Sequence, residues 1–152
     1  MFIKDFLKQF GNQKIILFVD MDGVIADYNV GQAKDYNKKR PLISSIKKLE
    51  KVSRMKNVEM YILSVTRMNS GIAEKHEWLD KFVPFIKKEN RYILSREAND
   101  FRLSRDLKTA YIKEVKKKGS VTVFIDDDPR ILDDVKINIP DVVLLKDTAL
   151  VD

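Results

Sequence analysis

The stretch Lys14-Ile-Ile-Leu-Phe-Val-Asp-Met-Asp-Gly-Val-Ile-Ala-Asp27 decides the fold. It begins with an uninterrupted apolar run, residues 15–19, which is typical of a strand buried on both faces of a parallel sheet. Two carboxylates, Asp20 and Asp22, end this strand, and Gly23 permits a sharp turn. Desolvation and mutual repulsion disfavour such a pair, unless a cation binds between the carboxylates and a phosphate completes its coordination. The alternative is a strand that ends in a polar turn, since short acidic motifs are common.

Composition predicts a single domain, residues 1–152, with a full hydrophobic core. The chain has no cysteine, which excludes disulfides and thiolate metal sites and fits a reducing cytoplasm. No apolar run reaches the ~20 residues of a membrane span, and Lys4, Asp5 and Lys8 interrupt the apolar N-terminal segment, unlike a signal peptide. The net charge of +6 favours anionic ligands. We therefore expect a cytoplasmic protein without a membrane partner, and the sequence leaves its oligomeric state open.

Strand and helix patterns alternate along the chain. The predicted strands are residues 14–20, 58–63, 91–94, 121–125 and 142–145. Helices are predicted at 2–10, 43–55, 72–82 and 129–136, with another between a Ser104 cap and Gly119. This alternation predicts an α/β fold, a Rossmann-like three-layer sandwich around a central parallel sheet of about five strands.

Unusual polar residues follow three of these strands. The first strand ends in Asp20, the second delivers Ser64, and the fourth delivers Asp126 and Asp127. The carboxyl ends of parallel strands lie at one edge of a sheet, where α/β proteins bind their ligands. The sequence therefore predicts one polar site at this edge.

Four motifs occupy these positions: Phe18-Val-Asp-Met-Asp-Gly-Val24, Tyr61-Ile-Leu-Ser64, Lys108 at the start of a helix, and Val123-Phe-Ile-Asp-Asp127. Together they resemble the haloacid dehalogenase (HAD) superfamily of phosphohydrolases over nearly the whole chain. Within it, the second motif and residues 74–79 are similar to the 5′(3′)-deoxyribonucleotidases. Many members insert a cap domain before or after the second motif. Here predicted helices and strands fill most of both intervals, so the resemblance implies a HAD-like fold without a cap domain.

The resemblance implies hydrolysis of phosphomonoesters through an aspartyl-phosphate intermediate. Asp20 would be the nucleophile, and Asp22 the general acid and base, with a pKa raised by the crowded acidic site. Ser64 would donate a hydrogen bond to a phosphoryl oxygen. Lys108 would offset the negative charge on Asp20 and the phosphate.

The cofactor implied is Mg²⁺. It would be held by Asp20, the backbone carbonyl of Asp22 and Asp126, with Asp127 in support. The resemblance thus assigns one cluster of carboxylates both to the metal and to the reaction.

The expected substrate is a small phosphorylated compound, with a nucleotide as the first guess. Gly23, Tyr28, Thr66 and Arg67 are the predicted substrate-binding residues. The segment 24–40 and the loops near Arg67 and Arg96 would give selectivity. Tyr28 and Tyr36 either stack on a base or pack the segment, and the basic run 38–40 could meet further phosphate. Arg67 and Lys75 either reach the substrate or are solvated charges, and Asp128 is expected to cap a helix.

Three other functions are consistent with parts of the pattern. One is a phosphatase for nucleic-acid ends or phosphoproteins, because nothing covers the site. Another is a phospho-receiver signalling domain, which would place its phosphorylated Asp after a later strand, whereas the third strand here ends in Leu94-Ser95. The last is a metal- or phosphate-binding module without catalysis, which the complete set of catalytic residue types disfavours.

Overall fold

A five-stranded parallel sheet forms the centre of the fold in the computed structural model, which describes residues 3–28, 35–96 and 99–151. The strands are β1 Ile15–Val19, β2 Val58–Thr66, β3 Arg91–Ser95, β4 Val121–Asp126 and β5 Val143–Lys146. Their order in the sheet is β3-β2-β1-β4-β5, so the most apolar strand is central. β1 is paired on both sides, with Ile15 opposite Val58 and Val121. The predicted fold class is confirmed.

Helices cover both faces of the sheet. They are α1 Ile3–Lys8, α2 Ile43–Ser53, α3 Ser70–Phe82, α4 Ser104–Val115 and α5 Pro129–Asn138. Short 3₁₀ turns lie at Tyr36–Lys38, Lys88–Asn90 and Asp147–Leu150. α1, α2 and α3 pack on the face that receives Leu17, and α4 and α5 pack on the face that receives Phe18. Alternate residues of β1 thus contribute to two hydrophobic cores.

The two intervals in which a cap domain was considered contain few elements in the described residues. α2 and one 3₁₀ turn lie between β1 and β2, and α3, another 3₁₀ turn and β3 lie between Ser64 and the start of α4. No helix in the described ranges has both the length and the apolar character that crossing a membrane requires.

Some predicted boundaries were wrong. β2 continues to Thr66 because β3 pairs beside it, with Ser64 opposite Ile93, so Ser64 lies within the strand. Ser104 is the first residue of α4 and not its cap. The Asp106 carboxylate instead accepts a hydrogen bond from the Leu103 N–H at 2.9 Å.

Other expectations were met or fall outside the described residues. Asp128 caps α5, because its carboxylate accepts a hydrogen bond from the Arg130 N–H at 2.9 Å. The middle of the 24–40 segment, residues 29–34, and the first residue of the predicted N-terminal helix, Phe2, lie outside the described residues.

Candidate active site

Three carboxylates meet where β1 and β4 end. Asp20 follows β1, Asp126 is the last residue of β4, and Asp127 comes next. One oxygen from each lies within 4.8 Å of the others. The Asp20 N–H donates to the carbonyl of Ile125 at 3.0 Å, which extends the pairing of the two strands into the site. We call these three residues the acidic cluster.

Lys108, the fifth residue of α4, joins two members of the acidic cluster. Its Nζ donates to Asp20 Oδ1 at 2.8 Å and to Asp126 Oδ2 at 2.7 Å, and all three side chains are buried. Burial disfavours the ammonium form, but the two carboxylates outweigh burial and hold the pKa of Lys108 above its ordinary value. α4 therefore delivers a charged lysine to the ends of β1 and β4.

The three carboxylates of the acidic cluster carry more negative charge than Lys108 alone can balance. Burial raises the pKa of Asp20 to about 7, against the effect of Lys108 and with the help of Asp126. Burial and the charge of Asp20 raise the pKa of Asp127 to about 6. Burial also raises the pKa of Asp126. A divalent cation would relieve this crowding, and an all-oxygen donor set suits Mg²⁺.

Because Gly23 has no side chain, the Asp127 carboxylate occupies the space next to it. Its φ is +81°, and a Cβ at this position would lie 2.0 Å from Asp127 Oδ2. The backbone turn after Asp22 therefore packs directly against one member of the acidic cluster. The three carboxylates thus fit a magnesium site bounded on one side by this turn.

Asp22 belongs to a different set of charges. Its Oδ1 accepts a hydrogen bond from Lys39 at 2.5 Å, and its Oδ2 lies 3.5 Å from Lys75 Nζ. Burial alone would raise the pKa of Asp22, but Lys75 and Lys39 outweigh burial and lower the pKa below its ordinary value. The expectation of a raised pKa for Asp22 was wrong, because two lysines surround this carboxylate.

Ser64 is held by a lysine of α3. The Lys75 Nζ donates to Ser64 Oγ at 2.7 Å and to the carbonyl of Val65 at 3.0 Å. Both side chains are buried, with Lys75 only 4% exposed. Burial lowers the pKa of Lys75 from its ordinary value, and the charge of Asp22 opposes that effect.

Lys39 reaches Asp22 from the 3₁₀ turn at 36–38. The indole N–H of Trp78 donates to the Lys39 carbonyl at 3.0 Å and fixes this turn to α3. The Lys39 Nζ lies 4.8 Å from the centre of the Tyr36 ring, a cation–π contact. Tyr36 also packs edge-to-face on Trp78 at 5.9 Å, so it is a core residue and not a surface for base stacking.

An open cleft of about 520 Å³ exposes the site. Its lining includes the acidic cluster together with Asp22, Ser64, Lys108, Tyr28 and Arg130. Of the predicted substrate-binding residues, Tyr28 lines this cleft and is 64% exposed. Gly23, Thr66 and Arg67 do not line it.

Thr66 and Arg67 lie where β2 leaves the sheet. The Thr66 hydroxyl donates to the Met68 carbonyl at 3.2 Å and shapes the loop, and Arg67 is exposed. The structure thus brings together the four predicted catalytic residues; of the four predicted substrate-binding residues, Tyr28 lines the cleft and Gly23 packs against Asp127, whereas Thr66 and Arg67 lie away from it.

Sequence reasoning left Lys75 open between a substrate contact and a solvated charge, considered Lys39 only as part of the basic run 38–40, and did not consider Arg130. A signal existed for Lys75, which precedes Trp78 and Leu79 by three and four residues and therefore shares their buried helix face. Lys39 carries no comparable signal, because its position depends on how the 3₁₀ turn packs on Trp78.

Similar folds occur among solved structures. A chain of the Pnkp1/Rnl/Hen1 RNA repair complex is 14% identical with a TM-score of 0.68, over 90% of this chain and 43% of that chain. The HAD domain of the Legionella pneumophila effector Lem4 is 15% identical with a TM-score of 0.56, over 88% and 84%. The chain has the HAD fold.

A D,D-heptose 1,7-bisphosphate phosphatase from B. bronchiseptica, complexed with magnesium and phosphate, shares this fold with 13% identity and a TM-score of 0.53, over 88% of this chain and 78% of that chain. The chain therefore spans most of the Lem4 domain and the heptose phosphatase, but less than half of the matched chain from the RNA repair complex. No protein-family model and no curated protein matches the sequence significantly.

The HAD-fold site of this chain divides by charge. The acidic cluster with Lys108 has a formal surplus of two negative charges. Asp22 with Lys39 and Lys75 has a formal surplus of one positive charge. The acidic cluster is therefore suited to a divalent cation, and the two buried lysines beside Asp22, which do not themselves line the cleft, reduce the negative charge next to it.

Proposed function

We propose that this protein is a Mg²⁺-dependent phosphomonoester hydrolase that works through an aspartyl-phosphate on Asp20. The observation that carries the proposal is the buried acidic cluster, joined by Lys108 at the carboxyl edge of the sheet. The HAD fold supports it, since a phosphatase complexed with magnesium and phosphate shares that fold.

The reaction has two displacements. A carboxylate oxygen of Asp20 forms a bond to phosphorus while the bond from phosphorus to the leaving oxygen breaks, and Asp22 gives that oxygen a proton. Water then attacks the phosphorus, its proton passes to Asp22, and the Asp20–phosphorus bond breaks to release inorganic phosphate. The lowered pKa of Asp22 describes the free protein. A dianionic phosphate beside Asp22 increases its affinity for a proton and makes it an acid.

The remaining residues stabilise charge and position. Lys108 lies against the nucleophile and offsets the negative charge that develops beside it. Ser64 hydrogen-bonds a phosphoryl oxygen from the edge of the cleft. The acidic cluster, together with the backbone carbonyl of Asp22, would hold Mg²⁺, which would supply positive charge to offset the negative charge of the phosphoryl group.

Asp20→Asn tests the covalent route. This variant should keep its fold and lose phosphatase activity on p-nitrophenyl phosphate with Mg²⁺, because the amide is a poor nucleophile. Asp133→Asn, an exposed position on α5, is the matched control and should retain full activity. Activity of Asp20→Asn near that of the control would exclude the proposed nucleophile.

A nucleotide is the first proposed substrate. Tyr28 lies at the cleft with an exposed ring that can stack on a base, and Arg130 lies on the lining beside the acidic cluster. Arg130 is paired with Asp128 at 2.9 Å, which holds its guanidinium near the first turn of α5.

A second candidate substrate is the phosphorylated end of a nucleic acid. Large exposed apolar side chains concentrate on the loops that follow β1, β2 and β3: Tyr28, Met68, Phe101 and Leu103. The loops and first helical turns beyond β2, β3 and β4 carry Arg67, Arg96, Arg102, Arg105 and Arg130. Exposed rings and arginines are the groups that bind single strands. The likeness to a chain of an RNA repair complex favours the same candidate.

Comparing kcat/KM values separates the two substrates. The comparison uses a deoxynucleoside monophosphate, 5′- and 3′-phosphorylated oligonucleotides, and a sugar phosphate. Phe101→Ala should lower kcat/KM for an oligonucleotide end but not for the mononucleotide, and Ile137→Ala, exposed at the far end of α5, is the matched control. A preference of about 100-fold for the sugar phosphate, or about 2.7 kcal/mol of transition-state binding, would exclude both candidates.

A further inference from the structure

We infer that Lys75 is a positioning residue of the proposed reaction, which fixes the hydrogen-bonding direction of Ser64 and thereby the binding of the phosphoryl group. This inference rests on the proposed function, in which Ser64 contacts a phosphoryl oxygen. It gives a buried lysine of α3 a role at a site formed mainly by the ends of β1, β2 and β4.

Three contacts define the place of Lys75. Its Nζ is 2.7 Å from Ser64 Oγ, 3.0 Å from the carbonyl oxygen of Val65 and 3.5 Å from Asp22 Oδ2. Two of the three ammonium protons are donated to Ser64 and Val65, and Asp22 is an ion-pair partner. Lys75 is therefore occupied in holding protein groups and acts on the phosphate through them.

The chemistry of the two groups sets the direction of the hydrogen bond between Lys75 and Ser64. An ammonium group donates and has no lone pair, so the Ser64 oxygen must accept. The hydroxyl has one proton of its own, which remains available for another acceptor. Ser64 lines the cleft beside Asp20, so this proton is directed to the place where a phosphoryl oxygen binds.

The burial of Lys75 argues against a merely structural role. Burying an ammonium group costs several kcal/mol before its partners compensate. Lys75 shares a helix face with Trp78 and Leu79, which an apolar side chain could fill without that cost. Asp22 does not by itself require Lys75, because Lys39 already pairs with it at 2.5 Å. Of the three groups that Lys75 contacts, Ser64 is the one whose hydroxyl has a proton of its own to donate to a phosphoryl oxygen.

Lys75→Met tests the inference, and Lys81→Met, an exposed position on the same helix, is its control. The first readout is binding of inorganic phosphate in the presence of Mg²⁺, measured by isothermal titration calorimetry. Lys75→Met should weaken phosphate binding by about tenfold or more, the effect of one charge-assisted hydrogen bond. Mg²⁺ binding without phosphate should be unchanged, because Lys75 does not touch the acidic cluster. Lys81→Met should bind both ligands like the wild type.

A double-mutant cycle with Ser64→Ala distinguishes a positioning role from a general loss of positive charge. If Lys75 acts through Ser64, adding Lys75→Met to Ser64→Ala should change phosphate affinity by less than about threefold, since the interaction is already lost. Losses that multiply in the double variant would overturn the inference.

Lys75→Ala with added methylammonium provides a second test. It keeps the inference testable if Lys75→Met does not fold. The amine should restore part of the phosphate affinity of Lys75→Ala and have no effect on Ser64→Ala. Failure of the amine to restore binding to a folded Lys75→Ala would count against the positioning role.

The proposed function and this inference can fail separately. Weakened phosphate binding in Lys75→Met, in a protein that hydrolyses no phosphomonoester, would contradict the function and retain the inference. Normal hydrolysis by the wild type with unchanged phosphate binding in Lys75→Met would support the function and contradict the inference. A wild-type protein that binds no phosphate would overturn both.

Discussion

Gly23 couples backbone conformation to the acidic cluster, and replacing it tests that coupling. Gly23→Ala should weaken Mg²⁺ binding at least tenfold, because a Cβ 2.0 Å from Asp127 Oδ2 must displace that carboxylate. The positive φ of +81° adds strain of about 1–2 kcal/mol for any residue with a Cβ. Titration calorimetry measures the first effect and urea unfolding the second.

Gly119→Ala is a matched control for this substitution. Its φ is +85°, but a Cβ there would meet nothing within 4 Å. It should therefore lose a similar free energy of unfolding and keep its Mg²⁺ affinity. Equal Mg²⁺ affinities for the two variants would show that Asp127 does not contribute to metal binding.

Asp22 is proposed to protonate the leaving group, and its substitution should depend on that group. Asp22→Asn should lower kcat for a sugar phosphate far more than for p-nitrophenyl phosphate, because nitrophenolate leaves without a proton. The amide keeps an oxygen that can accept from Lys39, but it leaves two buried lysines without a counter-charge, so the free energy of unfolding of this variant is measured beside its activity. The measurement is the ratio of kcat values for the two substrates in each protein. An unchanged ratio would contradict the acid role.

At the scale of elements, a buried hydrogen bond from Trp78 to the Lys39 carbonyl helps to join α3 to the 3₁₀ turn at 36–38. Trp78→Phe keeps an aromatic ring against Tyr36 but leaves the buried Lys39 carbonyl without its donor. We expect a loss of about 1–3 kcal/mol in the free energy of unfolding. Circular dichroism in urea is the suitable probe, because Trp78 is the only tryptophan. A loss under about 0.5 kcal/mol would show that the hydrogen bond contributes little.

The cap of α5 gives a second prediction at this scale. Asp128→Ala removes the acceptor for the Arg130 N–H and should lower the free energy of unfolding by about 1 kcal/mol. Asp128→Asn keeps an oxygen in the same position and should lose less, since asparagine caps helices about as well. Urea unfolding of both variants measures the difference, and equal losses would assign the effect to the carboxylate charge instead.

Sequence patterns predict best those elements whose pattern lies within one short run of residues. β1 is five consecutive apolar residues followed by carboxylates, and residues 121–127 follow a similar pattern in β4, interrupted by Thr122. Because parallel strands align their carboxyl ends, these two patterns were enough to predict that Asp20, Asp126 and Asp127 lie close together. The fold class follows from the same alternation.

Features that depend on contacts between distant elements were not predictable in this way. β2 extends to Thr66 only because β3 lies beside it. The low pKa of Asp22 depends on Lys39 and Lys75, which come from different elements and converge on one carboxylate. Sequence spacing gives the ends of strands, but not which lysine of a lysine-rich chain becomes buried.

At the scale of the whole molecule, Mg²⁺ should stabilise the fold, because its proposed ligands join the end of the central strand β1 to that of its neighbour β4. β1 and β4 are neighbours, and the acidic cluster concentrates negative charge between them. A ligand at 100 times its dissociation constant adds about 2.7 kcal/mol to the free energy of unfolding. In a domain of this length that corresponds to an increase in Tm of about 5–10 °C.

Scanning calorimetry with Mg²⁺ and with NaCl of equal ionic strength separates binding from screening. Asp126→Asn should abolish the increase, because Asp126 is the fully buried member of the cluster, whereas Asp133→Asn should retain it. An equal increase in Asp126→Asn would place the metal elsewhere, and no increase in the wild type would contradict a magnesium site at this edge of the sheet.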